Sequence, residues 1–406
     1  MKKILILIFI FLLCGCSYDE YKMPKDAYIN VENKTFDIYD THAKIRNVIK
    51  DTNTEILNKK EKIDTTKLGE NTLTIKYKYK NKRRIYKYDV NYNVVDTQVP
   101  IFLSASTTRT IYKGDQVNFC EKISYIDNYD NNVKCKIDGE FDSNIPGTYN
   151  LKYVLEDNSN NISEKDLIVY VIEKNTTSSN SSNKPQTNTN YTPAITGIQF
   201  MDIVKKHKNT NTMVGIDVSY WQQNVDYKKV KKAGCEFVII RLGVNTDNDK
   251  DISEDSFYKK NIENAKKAGL KVGVYIYSTA ATEKQAKEHA KWTKKILNKE
   301  KLDFPVAFDF ENWSSFPKYN LSRYSVTKNY LAFDKEMKKS GYKTMLYSSM
   351  NYLDKVWMFN DTYPVWLAHY TDQTTYEGKY IMWQMTDRGI IDGINGNVDI
   401  DIYYKE

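Results

Sequence analysis

Five carboxylates fall where an alternation of apolar and polar residues would turn them to one side of a strand. In residues 213–219, Val214, Ile216 and Val218 share one face, and Gly215, Asp217 and Ser219 share the other. In residues 304–311, Val306, Phe308 and Phe310 oppose Ala307, Asp309 and Glu311. In residues 398–403, Val398, Ile400 and Ile402 oppose Asp399 and Asp401. A period of two is the mark of a strand. Any one of these acids is as readily explained by an ion pair or a helix cap. Three strands that carry acids near their C-terminal ends argue for a shared site, because Asp and Glu are seldom buried without a reason. Crowded carboxylates raise one another's pKa, which keeps one of them protonated to serve as a general acid. Paired carboxyls among aromatic residues suggest cleavage of a glycosidic bond.

The aromatics are present. Tyr275 and Tyr277 share a face of residues 271–277, Tyr347 ends residues 344–348, and Trp366 and Tyr370 flank the end of residues 364–369. Trp221 and Trp383 stand close to other strand ends. Stacking on sugar rings and packing in a core each account for any single one of them.

The elements that must position these residues follow from the same alternation. Eight strands are predicted, at residues 213–219, 237–242, 271–277, 304–311, 344–348, 364–369, 380–385 and 398–403. Helical stripes lie between several of them. Phe257, Asn261, Ala265 and Gly269 recur at i+4, and Val326, Tyr330, Phe333 and Met337 form another stripe. Thr282 and Gln285 form a capping box ahead of Ala286, Ala290 and Ile296. Strands alternating with helices predict a (β/α) barrel of TIM type, whose active sites lie at the C-terminal ends of its strands.

At this point the sequence resembles a known family. Gly215-Ile216-Asp217-Val218-Ser219-Tyr220-Trp221-Gln222 is similar to the opening motif of the glycoside hydrolase family 25 lysozymes. Further matches follow in order: residues 237–243 with Arg241, residues 269–275, residues 305–311 with Asp309 and Glu311, Trp366-Leu367-Ala368-His369-Tyr370, Trp383-Gln384, and Gly396-Asn397-Val398-Asp399. The resemblance covers about residues 212–404. It implies an N-acetylmuramidase that cuts the β-1,4 bond between N-acetylmuramic acid and N-acetylglucosamine in peptidoglycan. Glu311 would be the general acid and later the base. Asp309 would orient or stabilise the acetamido group or the charged intermediate, and Asp217 and Asp399 would shape and charge the site. Arg241, Tyr275, Tyr277, Tyr347, Trp366, Tyr370, Trp383 and Gln384 are the substrate-binding candidates. His369 departs from the expected pattern, and Asp401 is expected to be a solvated end residue.

The rest of the 406 residues reads as delivery apparatus. Lys2 and Lys3 precede an apolar run from Ile4 to Leu13 that is too short to span a bilayer. The run ends in Leu13-Cys14-Gly15-Cys16, which resembles a bacterial lipoprotein box. That resemblance implies removal of residues 1–15 and a lipid on Cys16, with residues 16–25 as a tether. Residues 26–95 and 96–173 are predicted as all-β sandwich domains. Residues 96–173 resemble bacterial immunoglobulin-like modules at Gly114-Asp115, Gly147-Thr148-Tyr149 and Asp157-Asn158-Ser159-Asn160-Asn161. Residues 63–77 repeat weakly at 141–153, each block a turn and then an alternating strand. Residues 174–195, mostly Asn, Ser and Thr, read as a flexible linker, and residues 196–406 as the catalytic barrel.

Composition sets the exclusions. Sixty Lys and Arg against 52 Asp and Glu give a net charge of +8 without a basic stripe, so nucleic acid is not an expected partner. Five Cys rule out a disulfide framework; Cys120 and Cys135 either pair or stay free, and Cys235 is expected to be a small buried hydrophobe. Four His without metal spacing and no phosphate-cradling loop leave metals and nucleotide cofactors unexpected. The expected partners are peptidoglycan and, through Cys16, the outer face of a bacterial cell membrane. The rival readings are a barrel that binds glycan without cutting it, a hydrolase of other acetamido glycans, and an adhesion lipoprotein led by its β domains.

Overall fold

The computed structural model describes residues 23–80, 83–174, 197–246, 251–311, 316 and 318–405. The predicted signal peptide and most of the tether and linker lie outside the described residues. The chain forms two compact units, residues 1–97 and 98–406.

In the first unit a long antiparallel hairpin pairs Gly69–Lys78 with Tyr86–Val95. Leu73, Ile75 and Tyr77 alternate into its core opposite Val90, Tyr92 and Val94. Thr35–Asp37 and Glu55–Ile56 complete a four-stranded sheet, and Ile29–Val31 pairs with Ile49–Thr52 in a second, smaller one. The second unit opens on the same plan. Its hairpin, Gly147–Glu156 with Ile162–Ile172, gains Lys134–Asp138 on one edge and Thr108–Tyr112 in parallel on the other. Ile101–Ser104 and Ser124–Ile126 form the small sheet. The weak sequence repeat is therefore a structural one, and Cys120 is bridged to Cys135.

The rest of the second unit is a closed barrel of eight strands: β1 Thr212–Val218, β2 Phe237–Val244, β3 Lys271–Tyr277, β4 Val306–Asp309, β5 Thr344–Ser349, β6 Val365–Ala368, β7 Met382–Ile390 and β8 Val398–Tyr404. Helix α1, Phe200–His207, precedes it. Helices α2 Tyr227–Lys232, α3 Tyr258–Lys267, α4 Glu283–Leu297, α5 Arg323–Lys338 and α6 Met350–Lys355 follow β1 to β5 in turn. The first seven strands run parallel, but β8 is antiparallel to both β7 and β1. The regular βα alternation predicted from the sequence thus stops before the barrel closes. Residues 391–397 turn the chain directly from β7 into β8, and a direct turn can join only antiparallel neighbours.

The alternation within the strands holds. Val214, Ile216, Val218, Val306, Phe308, Ile400 and Ile402 pack between the barrel and its helices, while Phe237, Ile239, Ala307, Met345 and Trp366 fill the interior. The α5 stripe of Val326, Tyr330, Phe333 and Met337 is wholly buried. The Thr282 hydroxyl caps α4 by accepting from the Gln285 N–H at 3.2 Å, and the Gln285 side-chain oxygen accepts from the Ala281 N–H at 3.0 Å and from the Thr282 hydroxyl at 3.2 Å. The barrel also holds the β module before it. Ile126 joins the barrel core, and carbonyls of Asp127 and Asn128 accept from the backbone N–H groups of Arg323 and Tyr324, at 2.7 and 3.2 Å. Two of the donors that every helix N-terminus leaves open are met in this way.

Candidate active site

Strand register brings the acids together. Asp217 on β1 lies opposite Asp399 on β8, and Gly215 opposite Asp401. Moving round the wall, Arg241 pairs with Tyr275, Tyr277 with Asp309, Asp309 with Tyr347, and Tyr347 with Trp366. All of these positions face inward. Just past β1, the Ser219 hydroxyl accepts from the Trp221 N–H, and the Gln222 side chain accepts from the Ser219 N–H at 2.9 Å. This capping box turns the chain sharply outward and leaves Asp217 at the barrel mouth.

The result is a cavity of about 250 Å³ lined by Asp217, Arg241, Tyr275, Tyr277, Asp309 and Glu311, with Tyr347, Trp366, Tyr370, Gln384 and Asp399 completing the wall. Eleven of the twelve predicted site residues are thus brought together. The exception is Trp383. It neighbours Gln384 on β7, so the period of two points it outward, where its ring packs edge-to-face on His207 and its N–H donates to the His369 carbonyl at 2.8 Å. His369 serves that outer layer too, with Nδ1 beside the Thr374 hydroxyl at 2.9 Å. Trp221 is exposed beside the Tyr220 ring. Asp401, expected in solvent, is completely buried, because β8 is flanked on both sides by strands. Cys235 is buried as expected, and burial pushes its thiol up to about 12.

Two residues hold the site in place, Asp255 from outside the predicted set and Gln384 from within it. Asp255 is buried; it accepts from Arg241 Nε at 3.0 Å, lies 2.9 Å from Nη2 in an ion pair, and accepts from the Tyr220 N–H at 2.8 Å. Gln384 accepts from the hydroxyls of Tyr347 and Tyr370, at 2.8 and 2.9 Å, and donates to Oδ2 of Asp217 at 2.8 Å.

The electrostatics follow from crowding without water. Burial, and then the Asp401 charge, raises the Asp217 carboxyl well above its usual range. Burial, then Glu311 and Asp217, does the same to Asp309, against the pull of Arg241. Burial, then Asp217 and Asp387, takes Asp399 up to about 9. Glu311 stands two residues past β4 and is the exposed member of the set. The surrounding walls still desolvate its carboxyl and raise it, against the neighbouring Tyr347 hydroxyl, which lowers it. A carboxyl raised in a walled cleft is moved in the direction that general acid catalysis uses.

These raised carboxyls have a cost in stability. A carboxyl whose folded pKa exceeds its unfolded one binds more protons in the folded state. Its contribution is present below the unfolded value and is lost as pH rises through the folded value. For Asp399 that window runs from the ordinary 3.8 to about 9. Relative to wild type, Asp399→Asn is therefore expected to gain thermal stability between about pH 5 and about pH 8, by about 2–4 °C for each kcal/mol recovered. Melting curves of both proteins at both pH values would test this. Parallel shifts in the two would refute it.

Residues 216–394 match the family described as glycosyl hydrolases family 25. The match falls on the barrel and takes in β2 to β7 whole. The chain is similar to an uncharacterized Escherichia coli protein, YegX, which is 28% identical over 196 residues, 47% of this chain and 70% of that protein. The autolytic lysozyme of Clostridium acetobutylicum is 30% identical over 191 residues, 47% of this chain and 55% of that protein. The crystal structure of a bacterial lysozyme from Streptomyces coelicolor aligns with a TM-score of 0.42 at 24% identity, covering 48% of this chain and 93% of that one. Of the acids named from the motifs, Asp217, Asp309 and Glu311 lie within the matched residues and Asp399 lies five residues beyond them.

Proposed function

We propose that this glycoside hydrolase is an N-acetylmuramidase, cleaving the β-1,4 bond between N-acetylmuramic acid and N-acetylglucosamine in peptidoglycan. One observation carries the reading. Asp309 is buried at the floor of the cleft, yet its Oδ1 meets no hydrogen-bond donor among the described residues. A buried acceptor left unmet is costly, so this oxygen is built for a donor that arrives with the substrate. The N–H of a 2-acetamido sugar is such a donor, and tyrosine and tryptophan faces around it suit the sugar rings.

Docked in this way, the acetamido group has its carbonyl oxygen turned toward the anomeric carbon. Glu311 gives its proton to the leaving glycosidic oxygen as that bond breaks and the acetamido oxygen bonds to the anomeric carbon. The Glu311 carboxylate then takes a proton from water, which opens the ring so formed. The relative named an autolytic lysozyme supports this choice of substrate.

The reading extends to location. Cys16 carries a lipid that holds the protein on the outer face of a bacterial cell membrane, and the two β modules are immunoglobulin-like spacers. The Cys120–Cys135 bridge suits an oxidising compartment outside the cytoplasm.

The test is digestion of purified peptidoglycan by the full chain, followed by reduction and mass spectrometry of the fragments. Fragments ending in reduced muramic acid are expected. Ends on reduced glucosamine would overturn the bond assignment, and binding without cleavage would leave a glycan-binding module.

A further inference from the structure

The proposed reaction leaves one completely buried acid unused. Asp401 lies opposite Gln384 on β7 and Gly215 on β1, which makes it the diagonal inward neighbour of Asp217. A count of donors shows what joins the two acids. Oδ1 of Asp401 accepts from the Trp366 indole N–H at 2.9 Å, and an indole nitrogen can only donate. Oδ2 of Asp217 accepts from the Gln384 amide. That amide turns its N–H₂ toward Asp217 and its oxygen toward the hydroxyls of Tyr347 and Tyr370.

What remains is Oδ2 of Asp401, buried and reached by no N–H or O–H donor among the described residues, with the Asp217 carboxyl diagonally beside it and each acid acting on the other's ionisation. Two carboxylates cannot bond to each other, whereas a carboxylic acid and a carboxylate bond strongly. Among the described residues no cation acts on this pair. Arg241 is ion-paired with Asp255 and pulls on Asp309, and the other charged neighbours, Glu311 and Asp399, are acids too. Two bare charges would stand desolvated and side by side.

We propose that Asp217 and Asp401 share one proton through Oδ2 of Asp401, and that Asp401 is thereby the positioning residue that fixes Asp217 at the cleft. The functional half of this proposal rests on the glycan-cleaving reading of the site; the shared proton does not. Trp366 and Gln384 grip the outer oxygens of the pair, and the proton closes it. An amide at position 401 can replace the proton with its own N–H, whereas a methyl group cannot.

The experiment compares the full-length wild type with Asp401→Asn and Asp401→Ala. Infrared difference spectra of the substrate-free proteins at about pH 8, where ordinary Asp and Glu are ionised, count the protonated carboxyls that remain. Wild type minus Asp401→Asn should show one carboxylic acid C=O band that shifts in D₂O. Identical spectra would overturn the shared proton, whether or not the protein cleaves glycan. On peptidoglycan, Asp401→Asn should keep at least about tenfold more kcat than Asp401→Ala, a difference of about 1.4 kcal/mol, with KM little changed. Equal activity of the two would overturn the positioning role. Should Asp401→Ala fail to fold, the Asp401→Asn spectrum still decides the shared proton.

Discussion

Replacing Glu311 with Gln is expected to lower kcat on peptidoglycan by about 10³-fold with KM little changed, the scale of a lost general acid. Gln keeps the shape of the side chain and its contact with Tyr347 but has no proton to give to the leaving oxygen. The loss should depend on the leaving group. An aryl glycoside, whose phenolate departs without protonation, should lose much less than the natural glycan. Parallel assays of wild type and Glu311→Gln on both substrates separate a missing acid from a damaged site, since damage lowers both rates alike. Residual activity within about tenfold of wild type on the natural glycan would place the acid elsewhere. Asp399, held protonated up to about 9, would then be the first place to look.

Much of this site was legible as strand periodicity. A period of two assigned Asp217, Asp309 and Asp399 to the interior before any coordinates, because outward positions must be apolar to meet the helices. The same rule, applied to Trp383 beside Gln384, would have turned that indole outward. Two misjudgements have a common cause, the way the barrel closes. Asp401 looked like a solvated end because β8 looked terminal, yet closure puts β7 on one side of it and β1 on the other. Residues 391–397 held the clue, since Gly393 and Gly396 sit at positive φ in a turn that can only reverse the chain. The Asp255 partner of Arg241 had no local mark at all. It sits in a connection fourteen residues away, and only the tertiary fold brings the two together. The docking of residues 98–174 on the barrel was equally silent, because it combines two backbone carbonyls with a few apolar side chains such as Ile126 that form no pattern of their own.

Asp309→Asn offers the second large effect, and its size should depend on the substrate. Oδ1 of Asp309 is assigned to the substrate acetamido N–H, and an Asn in its place can present an N–H where an acceptor is needed. The expected result on N-acetylated glycan is a kcat loss of about 10²-fold, the lower end of what misplacing one preorganised polar group costs. Burial and the neighbouring acids act against ionisation of Asp309, with Arg241 the opposing cation, so the Asn variant also removes a group whose charge state the site holds under tension. Chemically de-N-acetylated glycan separates these contributions. It lacks the amide that the proposed docking gives to Asp309, so wild type and Asp309→Asn should act on it at similar slow rates. The two changes, one in the enzyme and one in the substrate, then form a cycle whose coupling measures the contact itself. Additive losses would mean that Asp309 serves through its charge alone. In that case the orphaned oxygen would have to be met by some other part of the glycan.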